Sequence, residues 1–85
     1  MFEVERTFRG ISVRLARHYL SNLGGKAVGE RTVEGDGWRA TLSSETVSVG
    51  PTLELTEVTV AFEGDKTVVE PLVDDFARKA MRAGG

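Results

Sequence analysis

The chain contains no cysteine. Disulfides, thiolate metal sites and thiol nucleophiles are therefore excluded. It has a single histidine, His18, so no histidine pair can assemble within the chain. No apolar run approaches the roughly 20 residues needed to cross a bilayer. The opening Met1-Phe2-Glu3-Val4-Glu5 is charged and alternating, unlike a secretory leader. These absences lead to the expectation of a soluble, cytoplasmic protein with no membrane attachment. Charge of one sign is also lacking: 13 acidic and 11 basic residues leave a net charge of −2. That balance argues against nucleic acid, where basic patches supply most of the affinity. Lysine is scarce, with only Lys26, Lys66 and Lys79 against eight arginines.

What remains is 85 residues, enough for one small domain. A chain of this size buries only about 60–65% of its unfolded surface, so its stability is modest. Residues 2–9 alternate as a strand, with Phe2, Val4 and Phe8 on one face and Glu3, Glu5, Thr7 and Arg9 on the other. Arg6 falls on the apolar face, as expected if the strand end leaves the core there. After Gly10, Ile11, Leu15, Tyr19 and Leu23 repeat at helical spacing, and Gly24-Gly25 ends the helix. Arg14, Arg17, His18 and Ser21 lie away from that stripe.

Short strands follow. Lys26 to Val33 reads as a weak strand interrupted by Gly29. Glu34-Gly35-Asp36-Gly37 is a hairpin connection. Trp38, Ala40 and Leu42 form one face of the next strand, and Trp38 is expected in the core. Ser44-Glu45 reads as a turn before a third short strand carrying Val47 and Val49. Gly50-Pro51 breaks the pattern again. From Thr52 to Glu63 the apolar phase slips, from odd Leu53 and Leu55 to even Val58, Val60 and Phe62. A β-bulge near Thr56-Glu57 would produce that slip; the alternative is a loop at 52–56.

The last helix begins either in a Thr67/Glu70 capping box or with Pro71 at its first position. Its stripe is Val69, Leu72, Val73, Phe76 and Ala80. Asp74 with Arg78 and Asp75 with Lys79 are favourable i,i+4 pairs, and acids opening with bases closing suit the helix dipole. The resulting order is β-α-β-β-β-β-α. It predicts a two-layer α+β domain over 1–82: one antiparallel sheet with both helices on one face. This order is TBP-like or helix-grip-like and differs from the β-β-α-β-β order of ubiquitin.

Candidate chemistry inside the body is sparse. His18 reads as a solvated helix residue. Ser43, Ser44 and Ser48 have no base in view. Asp74 and Asp75 diverge by about 100° on a helix. Asp36 suits turn chemistry better than a metal, and no cofactor is expected. The basic helix side (Arg14, Arg17) and acidic Glu54 and Glu57 read as solvated surface. The informative feature is the tail 83–85, Ala83-Gly84-Gly85. A carboxylate on two glycines is what adenylating enzymes of the ubiquitin-activating type accept, because a backbone without Cβ can thread a narrow tunnel. The competing reading is simple helix capping, where glycine is common.

Several segments together resemble a known family: Phe8-Arg9-Gly10, Tyr19 through Gly25, Gly35-Asp36-Gly37-Trp38, Gly50 through Val58, and Ala80 through Gly85. They are similar to a small archaeal family related to the C-terminal domain of MoaD-related proteins, here standing alone. The tail also resembles that of the small archaeal modifier proteins, which are ubiquitin-like and end in two glycines. The resemblance implies a ubiquitin-like modifier or sulfur carrier outside the standard β-grasp fold. An E1-like activating enzyme would use ATP to adenylate Gly85, with Gly84 as the permissive neighbour. An isopeptide bond to lysines of target proteins, or a thiocarboxylate, would follow. The chain itself would be a monomer and not an enzyme. Two other readings stay open: an interaction module accessory to molybdopterin or sulfur metabolism, and small-ligand binding between sheet and helices.

Overall fold

The computed structural model describes residues 1–84. Its elements are β1 (Phe2–Arg9), α1 (Val13–Asn22), β2 (Lys26–Ala27), β3 (Thr32–Gly35), β4 (Trp38–Ser48), β5 (Glu54–Gly64) and α2 (Lys66–Gly84). The strands form one sheet in the order β1-β5-β4-β3-β2, and every pairing is antiparallel. α1 carries the chain from the β1 edge to the β2 edge. Both helices pack on one face, giving the expected α+β architecture.

Two strand boundaries differ from the sequence expectation, and the differences offset one another in the strand count. Lys26–Val33 is two strands, because Gly29 lies in the connection between β2 and β3. The expected turn at Ser44-Glu45 does not occur, and β4 continues through it. Ser44 and Glu45 are held in the ladder opposite Val58 and Glu57. There is also no bulge at Thr56-Glu57: the register runs without a skip from Trp38↔Gly64 to Ser48↔Glu54. The phase slip is instead a change in which face of the sheet is apolar. Even-numbered Val58, Val60 and Phe62 face the helices, whereas Leu53 and Leu55 belong to the opposite face.

Both helices start where local chemistry allows. Ser12 caps α1, its Oγ accepting from the Leu15 N–H at 3.0 Å. At the other end the Leu20 carbonyl accepts from Gly25 N–H at 3.0 Å, with Gly24 at φ 100°. α2 begins earlier than either expected start. The Asp65 carbonyl accepts from Val68 and Val69 N–H at 3.0 and 2.8 Å, so Thr67 and Pro71 both lie inside the helix. The first turn therefore carries no acid. The i,i+4 expectation also shifts, because Arg78 meets Asp75 at 3.6 Å and not Asp74.

The core is a continuous set of side chains from both layers. Val33, Trp38, Ala40, Leu42, Val58, Val60 and Phe62 come from the sheet; Ala16, Leu20, Val69, Leu72, Val73, Phe76 and Ala80 come from the helices. Phe76 is fully buried at its centre. Its ring meets Phe8, Phe62 and Tyr19 edge-on, with centroids 5.0, 5.8 and 6.2 Å away, a geometry that the aromatic quadrupole favours. Among the described residues no polar or charged group is buried. Arg6 escapes burial although β1 continues past it to Arg9. β1 is an edge strand, so the side chain leaves around the edge, into a shallow cleft shared with Glu70 and Asp74.

Trp38 is buried, as its alternation implies, and two glycines make room for it. A Cβ at Gly35 would stand 2.2 Å from the indole Nε1, and one at Gly25 would stand 2.6 Å from Cη2. Gly35→Ala is therefore expected to cost about 1–3 kcal/mol through overpacking. Phe76→Ala is expected to cost about 3–5 kcal/mol, much of the stability of a domain this small. Urea unfolding followed by Trp38 fluorescence measures both. A Gly35→Ala midpoint equal to that of the parent would contradict the packing described.

Candidate functional site

The ends of the molecule are set by strand direction. β5 runs to Gly64, and α2 then turns back over the sheet. Lys66, at the start of α2, lies near Phe2, with Nζ 5.9 Å from the ring centroid. Phe76 lies ten residues on, beside Phe8 at the other end of β1. α2 thus carries its C-terminal end toward the end of the sheet where β1 stops. Its described core contacts end at Ala80, which is 3% exposed, and Met81 is 73% exposed. The helix continues to Gly84. Gly85, the expected conjugating residue, lies outside the described residues.

At this same end the β4–β5 hairpin projects as an arm. β1 covers β5 only as far as Glu57, and β3 covers β4 only as far as Thr41. The hairpin continues unaccompanied to Ser48↔Glu54, and Val49 N–H donates to the Leu53 carbonyl at 2.9 Å. The molecule measures 43 Å along its long axis and 23 by 22 Å across. Val47 stands opposite Leu55 in the ladder, and the Val49–Leu53 hydrogen bond continues the same alternation, which puts all four on the helix-free face. Leu53 is 56% and Val49 43% exposed. Behind this apolar tip the same face becomes polar. Arg9 Nε donates to Glu57 Oε2 at 2.9 Å, and the Thr7 and Thr59 hydroxyls meet at 3.2 Å. In the row nearest the β3–β4 turn, Arg39 pairs with Glu34.

The sequence-predicted polar candidates do not converge. His18 is exposed and reaches only Asn22, at 3.4 Å. Arg17 donates to the Glu30 carbonyl at 2.7 Å, fastening the β2–β3 connection to α1, and Arg14 and Arg31 border the same shallow groove. Asp36 is exposed in the β3–β4 turn, Asp74 and Asp75 are exposed on α2, and Glu54 is exposed on the arm. Glu57 is engaged by Arg9. Ser43, Ser44 and Ser48 are exposed along the arm. No group of three or more potential metal ligands exists among the described residues. No described helix is long and apolar enough to cross a membrane.

The arm is the feature that sequence reading missed. The phase slip was its signal: a change of apolar parity within one strand means either a bulge or a change of exposed face, and only the register distinguishes them. Replacing both Val49 and Leu53 with Ser is expected to change unfolding free energy by less than about 0.5 kcal/mol per site, since neither supports the core. Urea denaturation checks this, and a loss of core-like size would show that the arm tip packs on the body.

No curated protein matches the chain at a significant level. The family described as archaeal MoaD-like protein matches residues 4–85. The match begins within β1, spans the hairpin arm and both helices, and includes Gly84-Gly85. On that coverage, the chain belongs to the archaeal MoaD-like protein family.

Proposed function

We propose that this chain is a ubiquitin-like modifier or sulfur carrier whose Gly85 carboxyl group is activated by an E1-like adenylating enzyme. The observation that carries the reading is the family match, which runs through the diglycine pair. The body is not the catalyst. The partner enzyme supplies ATP chemistry, forming a Gly85 acyl-adenylate with release of pyrophosphate. A sulfur donor or a lysine amine then displaces AMP, leaving a thiocarboxylate or an isopeptide bond. Gly84 is the neighbour that lets the backbone pass through a narrow channel.

The geometry is compatible with this role in two ways. The last described core contact of α2 is Ala80, so opening the helix beyond it disturbs no described packing. Helix ends open at little cost, and glycine is a poor helix former by about 1 kcal/mol relative to alanine. The apolar arm tip also lies at the same end of the molecule. An enzyme that engages the described end of α2 meets Val47, Val49, Leu53 and Leu55 at the same end of the molecule as a recognition surface. The alternative, an interaction module accessory to molybdopterin or sulfur metabolism, draws on the same exposed arm and leaves the glycines idle.

Expression with an N-terminal tag in an archaeal host separates the two. Higher-mass conjugates, or an oxygen-to-sulfur exchange at Gly85 seen by mass spectrometry, are expected and disappear on deletion of Gly84-Gly85. Partner capture that is unchanged by the deletion, with an unmodified native C-terminus, would establish the interaction module instead.

A further inference from the structure

The arm has an unpaired backbone edge. β3 accompanies β4 only from Trp38 to Thr41, and Leu42 N–H then donates to the Arg31 carbonyl at 2.7 Å. From Ser43 to Ser48, β4 has β5 on one side and no strand on the other. Antiparallel strands direct successive residues to alternate sides. Val49 bonds to β5 and Leu42 bonds away from it, so odd-numbered residues here face β5 and even-numbered residues face outward. The free edge is therefore the N–H and C=O groups of Ser44, Thr46 and Ser48. Natural proteins protect such edges with lysine, proline or a bulge. The segment Ser43-Ser44-Glu45-Thr46-Val47-Ser48 has none of these, and its register with β5 is unbroken.

We propose that this edge pairs antiparallel with the same edge of a second copy, about a two-fold axis at Thr46, joining two sheets into one. The register follows from the alternation. With Thr46 opposite its own copy, Ser44 stands opposite Ser48, and all three outward residues form doubly hydrogen-bonded pairs. Glu45 then faces Val47 of the second copy. Centring the axis on Glu45 would place two carboxylates directly opposite, which is unfavourable. Centring it on Val47 would pair Ser44 with Gly50, beyond the end of β4. The Thr46 register also brings two exposed apolar clusters side by side on the helix-free face, with Val47 diagonal to its copy and within side-chain reach. The opposite face offers only the small hydroxyl side chains of Ser44, Thr46 and Ser48. Self-pairing of this kind is isologous and closes at two copies. It differs from the monomer expected from sequence, and it does not depend on the fate of Gly85.

Sedimentation equilibrium of the full chain from micromolar to millimolar concentration is the test. The expected result is a reversible shift toward twice the 9.2 kDa chain mass. Thr46→Pro removes an outward N–H and leaves the bonds to β5 intact. It is expected to raise the dimer dissociation constant about tenfold or more, because two hydrogen bonds at the axis are lost. Thr46→Cys places a lone thiol at the axis of an otherwise cysteine-free chain. Hydrogen-bonded antiparallel partners have Cα atoms about 5.5 Å apart, within disulfide range. Oxidation is expected to cross-link Thr46→Cys much faster than Asp36→Cys, in the distant β3–β4 turn, and this comparison decides the matter if the proline variant unfolds. A chain that stays monomeric at millimolar concentration, or equal cross-linking at positions 46 and 36, overturns the proposal. Deleting Gly84-Gly85 is expected to leave the dimer unchanged.

Discussion

The ladder between β4 and β5 organises this protein. Its register holds for the full length of both strands, so a single parity rule assigns every side chain in the central sheet to a face. Even-numbered Trp38, Ala40, Leu42, Val58, Val60 and Phe62 receive the helices, while odd-numbered residues face away. β1 pairs with β5 under the same rule, placing Phe2, Val4 and Phe8 on the helix side and Glu3, Glu5, Thr7 and Arg9 on the other. A one-residue slip would exchange those faces and expose the core. The two helices are consequences of this sheet, since their apolar stripes have only one face to cover.

The same ladder outruns its neighbours. Where β1 and β3 stop, β4 and β5 continue as a bare hairpin, and α2 heads toward the same end. The molecule therefore has a closed end, where Gly35 and Gly64 lie close against Trp38 and Gly37 packs beside Val68, and an open end carrying the arm and the helix terminus. The family match covers both ends, from β1 through the arm to the last residues of the chain. The exposed apolar arm tip, the free strand edge and the last described turn of α2 all lie at the open end, away from the packed core.

Much of the fold was legible because short-range patterns carried it. The 2–9 alternation, the four-residue repeat of α1, the Asp36-Gly37 turn and the α2 stripe all report contacts with one continuous core. The errors came where a local signal met a longer-range constraint. Ser44-Glu45 has turn composition, yet the cross-strand partners Val58 and Glu57 keep it extended. Pro71 suggested a helix start, yet the Asp65 carbonyl had already nucleated α2 one and a half turns earlier. The phase slip at Thr56-Glu57 suggests either a bulge or a loop at 52–56, because a two-sided exposed arm is visible only when the flanking strands are known to end.

By itself, the sequence determined the element types, the two-layer α+β arrangement, the membership of Trp38 and Phe76 in the core, and the absence of thiol chemistry. These depend on residue type and on periods of two and 3.6 residues, which are local properties of the chain. Tertiary structure alone decided that Leu53 and Leu55 face away from the helices, that Arg6 leaves around an edge, and that Ser44, Thr46 and Ser48 present an open backbone edge. Each of these is a relation between strands distant in sequence. Only the hydrogen-bonded register, summed over the whole ladder, selects it.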